Sequence, residues 1–171
     1  GDTTNYFMLA KIYEDNGNLD QAEAMYQKAK DMKPKDAAVY QKLAGFYQRQ
    51  GNFDKMIEAV QERTRQEPNN PEAFYTLATF YWDRARDTKL SDAQKATYTD
   101  AGLEAVNKAL DLKSDYNEAL IYKNLLLRAK ANISKDPKEQ QQFLKEADEL
   151  RAKAEELRNK QRNSSSTTAK K

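Results

Sequence analysis

The chain contains neither cysteine nor histidine. It therefore cannot form a disulfide, use a thiol nucleophile or a histidine base, or hold a metal through the commonest protein ligands. We accordingly predict no catalytic residue, no metal site and no cofactor. The absence of cysteine alone does not distinguish a reducing from an oxidising compartment, so the localisation stays open.

Glycine is scarce, and long apolar runs are missing. The five glycines are scattered at positions 1, 17, 45, 51 and 102, so none builds a glycine-rich phosphate loop. The longest apolar stretches, such as Leu125 to Leu127, are far shorter than the roughly 20 residues that cross a bilayer. The sequence predicts a soluble chain without a membrane span. Because it begins with Gly1 and shows no signal peptide, we expect a removed leader or an upstream domain.

An excess of charge of either sign is also lacking. Lysine and arginine total 29 against 27 aspartates and glutamates, which gives a net charge of +2. This balance implies neither a strongly basic nor a strongly acidic partner, so nucleic acid is not favoured. Carboxylate pairs such as Glu14 with Asp15 lie in solvated helical settings, whereas a catalytic pair needs an enclosing pocket. The composition therefore favours a non-enzymatic chain.

What the first half of the chain does contain is a period of 34 residues. Four columns of similar residues recur in three successive copies. A glycine recurs at positions 17 and 51, a proline at 34 and 68, and a capping residue at Asp2, Asp36 and Asn70. The columns are Tyr6, Tyr40 and Phe74; Leu9, Leu43 and Leu77; Ala10, Ala44 and Ala78; and Tyr13, Tyr47 and Tyr81.

Spacings of three, one and three within each copy place the columns on one face of a helix. Alanine in this face lets two helix backbones approach closely. Gly17 and Gly51 follow the helix, where a left-handed conformation reverses the chain without a Cβ clash. Each copy is thus predicted to be a helix, a tight turn and a second helix, and the residues in the columns are interpreted as structural.

The period and its residue types resemble the tetratricopeptide repeat (TPR). The resemblance implies an all-α, right-handed α-solenoid of antiparallel helix pairs, with about eight helices in this chain. It also identifies the chain as the C-terminal portion of a longer one, because the first repeat has no polar capping element before it. The predicted divisions are repeat 1 over 1–36, repeat 2 over 37–70, repeat 3 over 71–116, a divergent repeat 4 with a long C-terminal capping helix over 117–162, and a disordered tail over 163–171.

The third repeat contains an insertion of twelve residues, and the fourth matches the columns poorly. Ser91 with Gln94 predicts a capped start for a long helix that reaches about Leu112. In the fourth repeat Lys123 and Asn124 occupy the leucine and alanine columns. The last helix carries one apolar stripe, expected to face the preceding helices. The stripe is Phe143, Ala147, Leu150, Ala154 and Leu157.

In the family that the chain resembles, the first helices of successive repeats line a concave groove that binds peptides. Carried onto this sequence, the resemblance implies a set of groove positions that the packing columns do not use. Gly45 has two interpretations, close approach by a ligand or, as the favoured one, close packing of a neighbouring helix. The predicted partner-binding residues are Phe7, Lys11, Gln41, Gly45, Arg49, Tyr75, Thr79 and Trp82.

The best-known ligand of the family is the acidic C-terminal tail of chaperones, held by a clamp of Lys, Asn, Asn, Lys and Arg. The corresponding positions here are Phe7, Lys11, Lys42, Glu72 and Thr76. None of them matches, and Glu72 has the wrong charge. The acidic chaperone tail is therefore not the predicted partner, and an apolar or mixed segment is favoured.

The sequence thus favours a non-enzymatic scaffold that binds a peptide segment or a partner helix in a concave groove. The alternative is a regulatory or targeting module of a larger enzyme, with the catalytic domain upstream. Single-stranded RNA is a third candidate, disfavoured because the groove positions mix basic with acidic residues. Self-association through the N-terminal repeat is a further option that the exposed first helix leaves open.

Overall fold

The structure is a computed structural model that describes residues 2–168. Over this range the chain forms eight α-helices and no β-strand. The all-α class and the expected number of helices are therefore confirmed. The helices are α1 (Thr4–Asp15), α2 (Leu19–Met32), α3 (Ala37–Arg49), α4 (Phe53–Gln66), α5 (Pro71–Ala85), α6 (Asp92–Leu112), α7 (Asn117–Ile133) and α8 (Pro137–Thr168).

The helices fall into two compact units, the first ending at Pro68 and the second beginning at Asn69. In the first unit α1 packs on α2 and α3 packs on α4, with a further contact between α2 and α3. In the second unit α5 packs on α6 and α7 packs on α8, while α7 also contacts both α5 and α6. Each unit is thus built from two helical hairpins. The exact division into four repeats stays a prediction.

The turns between α1 and α2 and between α3 and α4 use the glycines that the period marks. Gly17 and Gly51 have φ angles of +76° and +66°, the left-handed conformation that a side chain disfavours. The Gly17 N–H donates to the Glu14 carbonyl at 3.0 Å, and the Asn18 N–H donates to the Tyr13 carbonyl at 2.8 Å. These bonds satisfy carbonyls at the end of α1, and equivalent bonds close α3.

The predicted capping residues act at the helix starts. The Asp36 carboxylate accepts a hydrogen bond from the Ala38 N–H at 3.0 Å, and the Asn70 side-chain oxygen accepts one from the Glu72 N–H at 2.9 Å. Asp2 accepts from the Thr4 N–H at 2.9 Å. Each bond satisfies one N–H group that the first turn of a helix leaves without a partner.

Most residues of the packing columns in α3 and α5 are buried, whereas in α1 only Ala10 is. Leu43 and Leu77 are 3% and 8% exposed, whereas Leu9 in the same column is 43% exposed. The expectation that Leu9 is a packed residue is therefore wrong. The face of α3 that carries the columns contacts α2, the helix before it. No described helix precedes α1, which packs mainly on α2, so the face of α1 that carries Leu9 stays open. Met8 and Ile12 extend the open face and are 56% and 55% exposed.

The insertion lengthens the third hairpin as expected. Residues 86–91 connect α5 to α6, and Ser91 caps α6 with a complete capping box that includes Gln94. The Ser91 N–H donates to the Gln94 side-chain oxygen at 3.0 Å, and the Gln94 N–H donates to the Ser91 hydroxyl at 3.3 Å. The sequence signal for the start of this helix is confirmed.

Gly102 lies where α6 meets its neighbours most closely. A Cβ placed on Gly102 would lie 2.8 Å from Leu126 Cδ2 and 3.3 Å from Tyr81 Cβ. Leu126 is itself fully buried, so its side chain has no free space to move into. Gly102 therefore serves the contact of α6 with both α5 and α7.

The fourth repeat follows the column register despite its unusual residues. Leu120, Asn124 and Leu127 are 2%, 8% and 4% exposed, so the columns of α7 face the interior. The Asn124 side-chain amide donates to the Ala147 carbonyl of α8. Lys123 forms an ion pair with Glu146 of α8 at 3.0 Å. Both residues that broke the sequence pattern thus connect α7 to α8.

The last helix extends beyond the predicted start of the tail. The sequence predicts disorder over 163–171, but α8 continues to Thr168, and residues 169–171 lie outside the described residues. Consecutive backbone hydrogen bonds of a helix already formed favour its extension, even into residues of lower helix propensity.

Among the described helices, none is both long enough and apolar enough to span a membrane.

Replacing Gly102 by alanine should lower the free energy of unfolding. The new methyl group must displace buried Leu126, which costs about 1–3 kcal/mol, against a helix-propensity gain of up to about 1 kcal/mol. Urea denaturation followed by far-UV circular dichroism measures the change. The close approach at Gly102 would be contradicted if the alanine variant were as stable as the parent chain.

Candidate partner-binding site

The predicted groove residues are divided between the two units, with five in the first and three in the second. In the first unit, Phe7 and Lys11 lie on α1, and Gln41, Gly45 and Arg49 lie on α3. In the second unit, Tyr75, Thr79 and Trp82 all lie on α5. The positions therefore mark the first helix of each of the first three hairpins, as the period requires.

Phe7 takes part in an aromatic cluster as well as presenting a surface. Its ring is half-buried and lies 6.1 Å from the ring of Tyr26, which in turn lies 5.1 Å from Phe46 and is buried. Tilted aromatic pairs at such distances stabilise a core. This packing role differs from the expectation that the fold does not need an aromatic residue at Phe7.

Arg49 is held by a carboxylate of the same unit. Its Nε and Nη2 atoms donate to the two oxygens of Glu14 at 2.6 and 2.9 Å. The hydrogen bond from Arg49 lowers the pKa of Glu14, whose side chain is only 8% exposed. This bidentate pair joins α1 to α3. A ligand carboxylate could bind Arg49 only by displacing Glu14.

Lys11 is engaged in a similar but exposed pair. Its ammonium lies 2.7 Å from Asp15 one turn further along α1, and this hydrogen bond raises the pKa of Lys11. An exposed pair of this kind contributes little to stability and exchanges readily. Lys11 therefore stays available to a partner more easily than Arg49 does. Gln41 is exposed on α3.

Gly45 is not explained by the packing contact that the sequence favours. The only atom within 4 Å of a Cβ placed on it, outside its own helix backbone and chain neighbours, is Arg49 Nη1 at 3.3 Å. No neighbouring helix approaches, so the favoured interpretation of close helix packing is wrong. The position is half-buried, and the missing side chain leaves a shallow depression beside Arg49.

Tyr75 belongs to a cluster of three tyrosines in the second unit. Its ring lies 5.1 Å from Tyr116 and 5.4 Å from Tyr122, the latter in an edge-to-face arrangement. Burial raises the pKa of both Tyr75 and Tyr116. The ammonium of Lys113 lies 4.9 Å from the Tyr116 ring centroid, within range of a cation–π contact. Tyr75 thus joins α5 to the start of α7 and remains half-buried.

Trp82 and Thr79 are also half-buried on α5. The Thr79 hydroxyl donates to the Thr76 carbonyl at 2.7 Å, which uses its donor within the helix. The Arg86 guanidinium lies 5.5 Å from the Trp82 ring centroid. The indole is therefore a large surface side chain with a cation above one face, an arrangement that suits contact with an apolar or anionic group.

The period continues into a groove that the sequence prediction missed. Adding the insertion of twelve residues to the period of 34 carries Tyr75, Thr79 and Trp82 onto Ile121, Leu125 and Arg128. These three residues line a groove of about 440 Å³ between α7 and α8. We call it the α7–α8 groove. Its lining is Asn117, Ile121, Asn124, Leu125 and Arg128 from α7, with Arg151, Ala154, Glu155 and Arg158 from α8.

The signal for these residues was present in the sequence. Once the insertion is added to the period, the buried columns of α7 fall on Leu120, Asn124 and Leu127, and the groove positions follow. Lys123 and Asn124 concealed this register because they are polar residues in columns that elsewhere hold leucine and alanine. The α8 side of the groove has no counterpart in the period and could not be predicted from it.

A second surface pocket of about 480 Å³ lies in the first unit. Its floor includes Tyr47, whose hydroxyl donates to Glu23 at 2.8 Å, while Lys55 donates to the same Glu23 oxygen at 2.6 Å. Burial raises the pKa of Tyr47 to about 12, and the hydrogen bond to Glu23 acts in the same direction. Tyr47 and Lys55 of this pocket are both engaged with Glu23, which fits a structural network.

Comparison with known proteins agrees with this geometry. A family model described as the tetratricopeptide repeat matches residues 13–80. Residues 13–80 are thus similar to the tetratricopeptide repeat family. A comparison of the sequence with curated proteins gives no significant match. The family is one of protein–protein interaction scaffolds that are in general not catalytic.

One solved structure supports the fold, and two others are similar at lower scores. A thermophilic TPR protein of Thermus thermophilus is similar over 91% of this chain and 81% of its own, with 18% identity and a TM-score of 0.54. MamA protein is similar over 94% of each chain, with 18% identity and a TM-score of 0.41. YrrB, described as a TPR protein with an unusual peptide-binding site, is similar over 92% of each chain, with 15% identity and a TM-score of 0.38. At these identities, the first similarity establishes the TPR fold and nothing about a ligand.

The ion pair between Glu14 and Arg49 should make the stability of the first TPR unit depend on pH. Because the pKa of Glu14 is lowered from its ordinary value of 4.5 on folding, its contribution is present above that pH and is lost as the pH falls through the lowered value. Glu14→Gln should cost about 0.5–1 kcal/mol at neutral pH. It should also flatten the loss of stability below pH 4.5.

Urea denaturation at several pH values tests this expectation. Glu58→Gln is the matched control, since Glu58 is exposed in the same unit and has no ion pair among the described residues. Equal pH profiles for the two variants would contradict the assigned role of Glu14.

Gly45→Ala should raise the stability of the TPR fold. Glycine inside a helix costs about 0.5–1 kcal/mol relative to alanine. The added methyl group would lie 3.3 Å from Arg49 Nη1, so the paired guanidinium need move by only a few tenths of an ångström. The free energy of unfolding in urea measures the gain. A lower free energy of unfolding for the alanine variant would contradict this expectation, because it would mean that the methyl group is crowded at this position of α3.

Proposed function

We propose that this chain is a non-enzymatic protein-interaction scaffold that binds a peptide segment or helix of a partner protein. Within each unit, the partner contacts the first helices of the hairpins at the positions that the packing columns leave unused. The proposal includes the predicted groove residues on α1, α3 and α5, and it adds the α7–α8 groove. It makes no use of catalysis, since the sequence contains no histidine or cysteine.

The observation that carries the proposal is the surface composition at these positions. Apolar and aromatic side chains stand there without being completely buried. Trp82 and Tyr75 are half-buried, and Ile121 is 44% exposed. Large apolar side chains beside a concave lining are the usual anchors of protein interfaces. A surface that only needed solvation would carry charged residues here.

The size of the α7–α8 groove favours a polypeptide over a small molecule. Its α7 lining runs from Asn117 to Arg128, three turns of helix and roughly 16 Å at about 1.5 Å per residue. The groove is shallow and open along this length. A helix or extended segment can place two or three side chains into it, which is the mode known as helix-in-groove recognition.

Peptide selection tests the proposed function. The chain is immobilised and exposed to a display library of random peptides of about 16 residues, long enough to span the groove as a helix. Retained peptides should lose most of their affinity for Ile121→Asp, which places a charge at the centre of the groove. Leu144→Asp is the matched control, because Leu144 is 38% exposed on α8 but lies outside the groove.

Trp82 supplies a second readout in the same experiment, since it is the only tryptophan in the chain. A bound segment that continues along α5 should reduce the quenching of its fluorescence by acrylamide. The proposed function fails if no peptide is retained, or if both aspartate variants bind the retained peptides as the parent chain does.

A further inference from the structure

The α7–α8 groove is edged by cationic side chains. Arg128 lies on α7, and Arg151 and Arg158 lie on α8. Arg128 is paired with Asp148, and Arg151 is paired with Glu155 at 3.0 Å. Arg158 forms no ion pair with any residue in the described part of the chain. The groove therefore has one cation with its charge uncompensated and two that hold exposed, exchangeable partners.

Between these cations the groove floor is apolar. Ile121 and Leu125 come from α7 and Ala154 from α8, and Ala154 is almost fully buried at 5% exposure. Ile121 is 44% exposed, so the groove presents apolar surface to the solvent. An apolar strip flanked by arginines is complementary to an apolar strip flanked by carboxylates.

The spacing of the lining residues is that of a helix face on both sides. On α8 the positions 151, 154, 155 and 158 follow one another at three, one and three residues, and α7 contributes successive turns in the same way. A third helix laid between two helices packs its own ridge of side chains into such a groove. Its apolar residues then recur at the same three- and four-residue intervals.

We infer that the α7–α8 groove binds an acidic amphipathic helix of a partner protein. This inference rests on the proposed function and adds the chemistry of the partner. Apolar side chains of that helix contact Ile121 and Leu125, and a carboxylate beside them accepts hydrogen bonds from Arg158. A second carboxylate takes the place of Glu155 on Arg151. The guanidinium groups provide bidentate, charge-assisted hydrogen bonds to these carboxylates.

Nucleic acid is a poorer match for the same arginines. Glu155 lies in the groove lining and Asp148 lies on Arg128, so a continuous phosphate chain would meet two carboxylates. The floor offers aliphatic side chains and no aromatic ring on which a base could stack. A helix with carboxylates at separate positions avoids both difficulties.

The peptides retained by the chain in the display experiment test this inference. They should be enriched in aspartate and glutamate beside apolar residues at helical spacing. In fluorescence anisotropy, a retained peptide whose acidic residues are changed to their amides should bind about tenfold more weakly, the loss expected for a charge-assisted hydrogen bond. Arg158→Gln should weaken the original peptide by a similar factor and should affect the amide peptide little.

Lys153→Gln is the matched control, because it removes the same charge from an exposed position of α8 outside the groove. The inference is overturned if retained peptides lack acidic residues, if their amide forms bind equally well, or if Arg158→Gln and Lys153→Gln have the same effect. It is also overturned if the groove prefers a single-stranded oligonucleotide to the peptides. If no peptide is retained, the proposed function fails as well, whereas retention of non-acidic peptides refutes this inference alone.

Discussion

Close approach of helix backbones across small side chains is the constraint on which the rest of the structure depends. Ala10, Ala22 and Ala29 in the first unit are completely buried, as are Ala78, Ala109 and Ala147 in the second. Because these residues fill the centre of each contact, the larger side chains of the same helices are displaced to either side. Some of them, such as Phe46 and Leu126, complete the cores. Others, such as Trp82 and Ile121, remain at the surface and are free to contact a partner.

The features that the sequence predicted correctly are those fixed by a few neighbouring residues. The left-handed turns at Gly17 and Gly51 and the capping box of Ser91 with Gln94 need only the local backbone to form. The pairing of Arg49 with Glu14 joins residues 35 positions apart, and no local pattern specifies it. The same holds for the tyrosine cluster around Tyr75, which depends on where the start of α7 lies relative to α5.

The period predicts which helix faces carry the candidate site, but it does not predict the contacts that those residues make. The period identified the surface of the first helices, yet it could not show that Phe7 and Arg49 already have partners within the first unit. Nor could it show what α8 contributes, since that helix follows no earlier copy in its length or charge. Leu9 illustrates the opposite error, because a residue that fits its column perfectly is still exposed when no helix packs on it. Periodicity thus describes which face a residue occupies, while burial depends on whether that face has a neighbour.

The hydrogen bond from Asn124 to the Ala147 carbonyl has a consequence for the relative position of the two helices that line the groove. A contact between small apolar side chains does not fix the axial position of two helices, whereas the Asn124 amide donates to one particular carbonyl of α8. Displacing α8 by a turn would leave that amide unsatisfied, at a cost of about 1–3 kcal/mol. The axial offset between Ile121 and Arg158 is therefore locked. For the helix that we propose as the partner, this fixed offset sets the required distance between an apolar side chain and a carboxylate.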